Sequence, residues 1–529
     1  MDPASGTIHK DFDRLDQGRR ESLDTARFCA ALTKPWVLPA EGWEDGQSHA
    51  ATFSSLAARG ITNLEGRLLL ALFPANQPFF KLRPAAKFRF DPTVDAELLN
   101  EFQQRLFIQE LAIMAKIERD DHLIGTNEQR AGFRSRMRTA LSQLLITGDV
   151  LIQIKDDYNL KIHRRDNYVT TRSLDGDVLL HITQETIDPL VLTPEQAQVA
   201  DLDLDTLAAK PVDKRMRPIF TRVQWHPTKK RWVIEQEING HVINVSEEKT
   251  TPFLSVPYEL APAAHYGRGL IEANLGDVRS MNELTERILD FAAIASKSLF
   301  CLDYNSQVRP RDLASPTGSV IQARVQSGQV TDVGVLKADK LQDFSVAQSV
   351  RESIRKDLAS VMLMEAENQP RGDRVTATQI SRIASELDGA LGGLYGPISD
   401  AIQVPLIERL IDMMRRTGDL PGLPDDAVQI EAVTGIMALS NESDQQKLVM
   451  LMQTLSQFGP ETMSRFDQGT LLDLLMRQSG IYEPGLIKTD EQLAQEQQQA
   501  QEAALAQQAG QQAIQSGGKI MEQTVANGG

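Results

Sequence analysis

Cysteine is almost absent from this chain: Cys29 and Cys301 are the only two among 529 residues. A disulfide-stapled secreted scaffold is thereby excluded, and a reducing compartment fits best. Long apolar runs are missing as well. The longest, LLLALF at Leu68 to Phe73, falls far short of the roughly 20 residues of a membrane span, so no membrane association is expected. The first residues, MDPASGTIHKDFDRLDQGRR, lack an apolar stretch behind basic residues, and no secretory signal is expected there. Aromatic residues are sparse at 5%, although 41% hydrophobic and 24% charged residues lie near the average for soluble globular proteins. Positive charge is in short supply too. A formal charge of −16 argues against gripping nucleic acid with the whole surface, while leaving room for a local basic patch or for a surface that repels DNA.

Signatures of chemistry are missing in the same way. No G-x-x-x-x-G-K-[ST] loop occurs, and GRGLIEANLG from Gly267 lacks the third glycine of the dinucleotide spacing. GALGGLYG, from Gly389 to Gly396, lies in a helical stretch with no strand before it and reads as close helix packing. The eight histidines are scattered without an H-E-x-x-H pair, the two cysteines offer no zinc knuckle, and no G-x-S-x-G elbow is present. No metal, cofactor or catalytic residue is assigned, and an enzyme is not expected. One acidic stretch, DLDLD at Asp201 to Asp205, has carboxylates that a metal-dependent nuclease could use, but its neighbours have loop composition and it reads as a solvated loop. The basic clusters at Arg134, Arg136 and Arg138 and at Lys229 to Arg231 read as solvated surface.

The length suffices for about three domains of roughly 150 residues each. From Ala50 to Gly148 the apolar period is helical. Leu56, Ile61, Leu64 and Leu68 precede a stop at Pro74, and Leu99, Phe102, Leu106, Ile113 and Ile117 share one face of a long helix. From Asp149 the period becomes two, in DVLIQIKD, YVTTRS, DVLLHIT and PIFTRVQW. RWVIEQEI-NG-HVINV then carries the Asn-Gly hairpin signal at Asn239-Gly240, and this β-rich segment ends near Tyr258. Helical spacing returns at Leu275, Val278, Met281, Leu284, Ile288, Phe291, Ala295 and Leu299, which predicts one helix of about 28 residues. A short β-rich insert follows. A second helix, from about Ser345 to Glu365, carries a stripe at Val346, Val350, Ile354, Leu358 and Met362, with Arg351, Glu352, Arg355 and Lys356 away from it.

The loop ENQPRGDRV then leads into a helix opened by a capping box at Thr376-Ala377-Thr378-Gln379. Its Arg371-Gly372-Asp373 could be taken for a cell-adhesion tripeptide, but the lack of disulfides and of an export signal argues against that. The helix reaches Pro397 and continues with a kink at Pro405 to a stop at Gly418. Residues 419 to 487 read as mostly helical, and the Gln/Ala-rich remainder lacks the apolar residues to build its own core.

The order of these parts, with ARGITNLEGRLLLALFP, ITGDVLIQI, YGRGLIEANLGDVRSMNELTE and above all DRVTATQISRIASELDGALGGLYGPISDAIQVPLIERL, resembles the portal, or head-to-tail connector, proteins of short-tailed bacteriophages over roughly residues 10 to 485. The resemblance implies a mixed α+β, predominantly α-helical portal fold of wing, stem, clip and crown that assembles into a cyclic ring. The implied divisions are an N-terminal arm (1–45), a wing (46–265, helical to 148 and β-rich from 149), a first stem helix (266–300), a clip (301–340), a second stem helix (341–366), a tunnel loop (367–375), a kinked wing spine helix (376–418), a crown (419–487) and a C-terminal tail (488–529). The implied function is the channel at one capsid vertex through which viral DNA is packaged and ejected. An alternative is another phage ring, such as a tail or adaptor component.

The implied partners are about twelve copies of the chain, double-stranded DNA bound without sequence specificity, the terminase packaging motor, the major capsid and scaffolding proteins, and a tail adaptor. The implied location is the virion, after assembly in the host cytoplasm. Candidate site residues follow from the same resemblance. Gln369, Pro370, Arg371, Gly372, Asp373 and Arg374 belong to the tunnel loop, Arg351, Arg355 and Lys356 face the channel from the stem, and Arg309, Arg311 and Asp312 dock the motor or tail at the clip. About twelve copies, each with a charge of −16, would repel a phosphate backbone except where locally offset, which suits a conduit in which DNA slides.

Overall fold

The computed structural model describes residues 8–74, 79–85, 96–122, 132–295 and 299–304, parts of 306–336, then 341–364, parts of 383–394, 395–420 and 428–432. All of them belong to the first of two units, Met1–Glu442 and Ser443–Gly529. The chain opens with α1 (Ile8–Gly18) and α2 (Arg20–Ala31), followed by α3 (Leu56–Leu72), β1 (Phe80–Pro84), α4 (Ala96–His122) and α5 (Phe133–Thr147). The helical spacing of the sequence is realised here as burial: Ile61, Leu64 and Leu68 of α3 and Leu106, Ile113 and Ile117 of α4 lie in the main core. Residues 8–45, expected as an arm, are also built into the molecule. Leu23, Ala26, Cys29 and Ala30 of α2 join the main core, while Ile8 and Phe12 of α1 pack on Val169 and Ile182.

Strands follow where the period of two begins: β2 (Asp149–Ile154), β3 (Leu160–His163), β4 (Tyr168–Arg172) and β5 (Val178–Ile187). After the short helices α6 (Pro194–Val199), α7 (Leu204–Ala208) and α8 (Val212–Arg215) come β6 (Arg217–His226), β7 (Arg231–Ile238), β8 (His241–Glu248) and β9 (Phe253–Pro257). The sheets have the orders β3-β2-β9 and β4-β5-β6-β7-β8. Asn239 (φ 52°) and Gly240 (φ 83°) form the β7–β8 turn, the two positive angles that a two-residue hairpin of matched twist requires.

Two of the sequence segments that carry the family resemblance meet at a glycine contact. Gly148 caps α5 with φ 80°, and a Cβ there would lie 2.4 Å from the carbonyl oxygen of Gly267 and 2.5 Å from the nitrogen of Gly269. Only a residue without a side chain fits both the angle and the approach. Beside it the Asp149 carboxylate is fully buried and accepts from Tyr168 Oη (3.1 Å) and Gly267 N (3.2 Å). The Arg165 guanidinium lies 3.8 Å from that carboxylate and 4.3 Å from the centre of the Tyr266 ring. Burial pushes Asp149 above the usual carboxylate range, against the pull of Arg165 and Arg172.

The remaining elements are α9 (Leu270–Ala273), α10 (Leu275–Ala295), β10 (Leu299–Leu302), β11 (Val325–Gln326), β12 (Gln329–Val330), β13 (Val333–Leu336), α11 (Leu341–Val361), α12 (Tyr395–Thr417) and β14 (Val428–Ala432). Three differences from the sequence reading stand out. Leu299 and Phe300, expected at the end of the first long helix, are strand residues paired with Leu336 and Val335; an apolar run at a helix end looks the same in either state until its ladder partner is known. The glycine-rich stretch turns at Gly393 (φ 84°), and neither Gly389 nor Gly396 has an atom within 4 Å of where a Cβ would stand. Gly393 therefore marks a turn, and among the described residues close packing does not explain Gly389 or Gly396. Pro397 falls in the first turn of α12, where its missing N–H costs nothing. Finally, β14 in the stretch expected to be helical pairs along its length with β1, bringing residues 428–432 into the body.

Candidate functional site

Among the described residues, the pair α10 and α11 is rooted in the body at one end and exposes apolar side chains at the other. Phe291, near the end of α10, stacks on Phe344, near the start of α11, with ring centres 5.2 Å apart. The two helices therefore run antiparallel, and β10 with β13 closes the base of the insert between them. At the body end, Val278 and Met281 of α10, Leu358 of α11 and the adjoining Met362 are buried in the main core. At the far end, Leu289, Val346 and Val350 are 53%, 61% and 45% exposed. The predicted stripe on α11 was spaced by four. Each such step turns about 40° on a helix of 3.6 residues per turn, so Val346 and Met362 point to nearly opposite sides. Phe344, Ala347, Arg351, Ile354 and Leu358, each partly or fully buried, recur by three and four as a helix-pair seam does, and Glu352, Arg355, Ala359 and Val361 beside them are partly or fully buried too.

The three stem candidates divide accordingly. Lys356 is exposed. Arg355 donates Nε (2.9 Å) and Nη2 (2.7 Å) to Glu352, and that hydrogen bond, helped by Lys356 and Arg351, holds the Glu352 carboxyl below its usual range. Arg351 is partly buried, with its Nε enclosed. Residues 351–357 thus combine three cations with two carboxylates, Glu352 and Asp357. On α10 the pairs Arg279–Glu283 (2.7 Å) and Arg287–Asp290 (3.9 Å) balance charge in the same way. In the insert Arg309 and Arg311 are exposed. Asp312, the loop Gln369 to Arg374 and the capping box at Thr376 to Gln379 lie outside the described residues.

Beyond Val361 the chain is held tightly. Leu363 adopts φ 51°, closing α11 in the left-handed conformation common after a helix end, and Met364 N donates to Ala359 O at 2.8 Å. Asn63 of α3 donates Nδ2 to the carbonyls of Met362 (3.0 Å) and Leu363 (2.9 Å). Farther along, Arg67 of α3 pairs with Glu386 at 2.9 Å. Sequence reasoning missed these residues because a mid-helix Asn or Arg looks like solvated surface until the fold brings a partner to it.

The readings weighed against a structural role fare differently. Asp203 caps α7, accepting from Asp205 N (3.1 Å), Thr206 N (3.4 Å) and the Thr206 hydroxyl, and the hydrogen bonds from Thr206 depress its pKa. That gives the DLDLD stretch a local structural role. Among the described residues no group of three or more His, Cys, Asp or Glu could hold a metal ion, and no helix is long and apolar enough to cross a membrane. Of the basic clusters, Arg136 donates to Leu160 O at 2.5 Å and Lys229 pairs with Glu247.

With this architecture in view, comparison with known proteins is decisive: the family described as bacteriophage head to tail connecting protein matches residues 5–486. The chain belongs to that family. Relatives within it include the portal protein of Enterobacteria phage T3, 28% identical and covering 91% of this chain and 88% of its own. The portal protein of Escherichia phage T7 is 27% identical over the same shares. The portal protein of Enterobacteria phage SP6 is 24% identical over 94% of this chain and 93% of its own. In fold as in membership, this connector-family chain is a mixed helix-and-sheet protein, as expected, and its family is one of virion structural proteins.

Proposed function

We propose that the chain is the subunit of a portal, a ring of about twelve copies at one capsid vertex through which double-stranded DNA is packaged and later ejected. The observation that carries this reading is the antiparallel pair α10 and α11, rooted in the core at one end and apolar without cover at Leu289, Val346 and Val350 at the other. A ring supplies that cover from neighbouring copies through rotationally closed interfaces. In this reading residues 46–265 form the wing, α10 and α11 the stem, 301–340 the clip that meets the terminase motor and then the tail adaptor, 367–375 the tunnel loop, 376–418 the wing spine and 419–487 the crown. The near-balanced charge of residues 351–357 supports it, because a sliding polyanion must not be held by many cations at once. The alternative of a tail or adaptor ring has less support, since the relatives carry the name portal protein.

Electron microscopy with sedimentation of the purified chain tests the assembly. Rings with a hole of roughly 20 Å, the width of duplex DNA, support it, and a monomer at every concentration and salt refutes it. Arg371→Glu with Arg374→Glu is expected to alter packaging or DNA retention in intact rings; loss of rings in that variant would make the loop a subunit contact.

A further inference from the structure

One face of α3 carries an unusual set of long-range attachments. Gly60, Asn63 and Arg67, spaced by three and four, lie on a single ridge, and the carbonyl of Ala71 lies one turn further on. Gly60 receives Met362, the residue just past the end of α11: a Cβ on Gly60 would stand 2.0 Å from Met362 Sδ and 2.9 Å from Met362 Cβ. Because the Cβ is involved, a side-chain rotation alone would not relieve the clash. Asn63 satisfies two carbonyls at that same helix end, groups that a helix terminus otherwise leaves without a partner. Arg67, buried, takes Glu386 from the helical stretch on the far side of residues 365–382, where Ile383 and Leu387 are also buried. Ala71 O accepts from Tyr395 Oη at 3.1 Å, holding the first residue of α12.

We propose that Gly60, Asn63 and Arg67 are positioning residues, and that α3 is a clamp fixing the separation and direction of the two chain ends between which residues 365–382 run. A glycine in a helix interior is destabilising relative to alanine, and Gly60 has a reason to be there: it lets Met362 seat against the α3 backbone. Asn63 does what a mere packing residue could not, since its amide donates twice to one helix end. The functional meaning of the clamp rests on the portal reading, in which those two ends carry the tunnel loop, whereas the clamp itself rests on the contacts alone.

Hydrogen exchange read by mass spectrometry on the full chain tests it. Gly60→Ala is expected to speed exchange at residues 359–364 by roughly tenfold or more. Met362→Gly added to it is expected to restore protection in part, because it removes both the sulfur and the Cβ that would meet the new side chain. Asn63→Leu should loosen the same residues selectively, while Leu69→Ala, a core change on the opposite face of α3, should lower the melting temperature without that selectivity. Unchanged exchange at residues 359–364 in Gly60→Ala, or no rescue in the double variant, would overturn the clamp whatever the particles look like. Rings of the Gly60→Ala chain that show the loosened end yet package and retain DNA as the wild type does would remove the tunnel-loop reading and leave the clamp standing.

Discussion

The two ends of the paired helices α10 and α11 are built from the same kinds of residue and meet different surroundings. At the body end Val278, Met281, Leu358 and Met362 are enclosed by the main core, within reach of α3. At the far end Leu289, Val346 and Val350 are exposed, and the ring stack of Phe291 on Phe344 is one contact that ties the helices there. An apolar period therefore announces that a face is to be covered, without saying whether this chain or another copy does the covering. Charge tells the same story in reverse. Near the body, charged groups such as Arg67 and Lys34 are buried with carboxylate partners, whereas along the projecting pair they are exposed and matched within one helix turn.

The comparison is broken most severely at the body end. Leu358→Asp would place a carboxylate in a site 1% exposed with no cation designed to meet it, and insoluble or unfolded chain is expected. Val350→Asp, at the far end, should fold with a melting temperature within about 2 °C of the wild type, yet fail to form ring-sized particles in sedimentation. A folded Leu358→Asp chain, or ring formation by Val350→Asp, would erase the distinction between the ends.

A middle-sized effect is expected from Phe291→Ala. The stack contributes on the order of 1 kcal/mol beyond area burial, so exchange in the first turns of α11 should rise while protection at its body end stays unchanged. Uniform loosening of both ends would show that the pair behaves as one rigid unit.

Acid gives the mildest separation. Burial holds His163 down to about 4 and His181 down to about 3, from an ordinary 6.5, and both lie in the sheets of the body. The unfolded chain takes up protons at these sites that the folded chain refuses, so the stabilisation is complete above pH 6.5 and declines as pH falls toward those lower values. Melting temperatures compared above and below that window should fall in acid, and less so in the variant with His163→Gln and His181→Gln. An identical acid response in that variant would place the sensitivity elsewhere, for instance in depressed carboxylates such as Glu352 on the projecting helix.

Much of this was legible in the residues. Pro74 and Gly418 bound helices that end at Leu72 and Thr417, and Asn239-Gly240 turned where its type demands. The order helix, insert, helix was readable because amphipathic periods are local. Less legible were β1 with β14, whose partners are far apart in sequence, and the strand identity of Leu299 and Phe300. Of the candidate site, the cations on α11 could be named from sequence, but the enclosure of Arg351 Nε and the pairing of Arg355 with Glu352 needed the rotation of the helix about its axis. Asn63 and Arg67 gave no signal, since nothing in a single sequence marks a polar residue whose partner arrives from some 300 residues away.

What the sequence determined by itself was the menu of elements and the class of protein: local periodicity, turn chemistry and motif order depend on neighbours within a few residues, and these do not wait for the fold. The tertiary structure decided which polar groups are partners and which apolar faces stay uncovered. Burial, desolvation and close backbone approach, as where Gly148 meets Gly267 and Gly60 meets Met362, are properties of residues brought together, and they exist only once the chain has closed on itself.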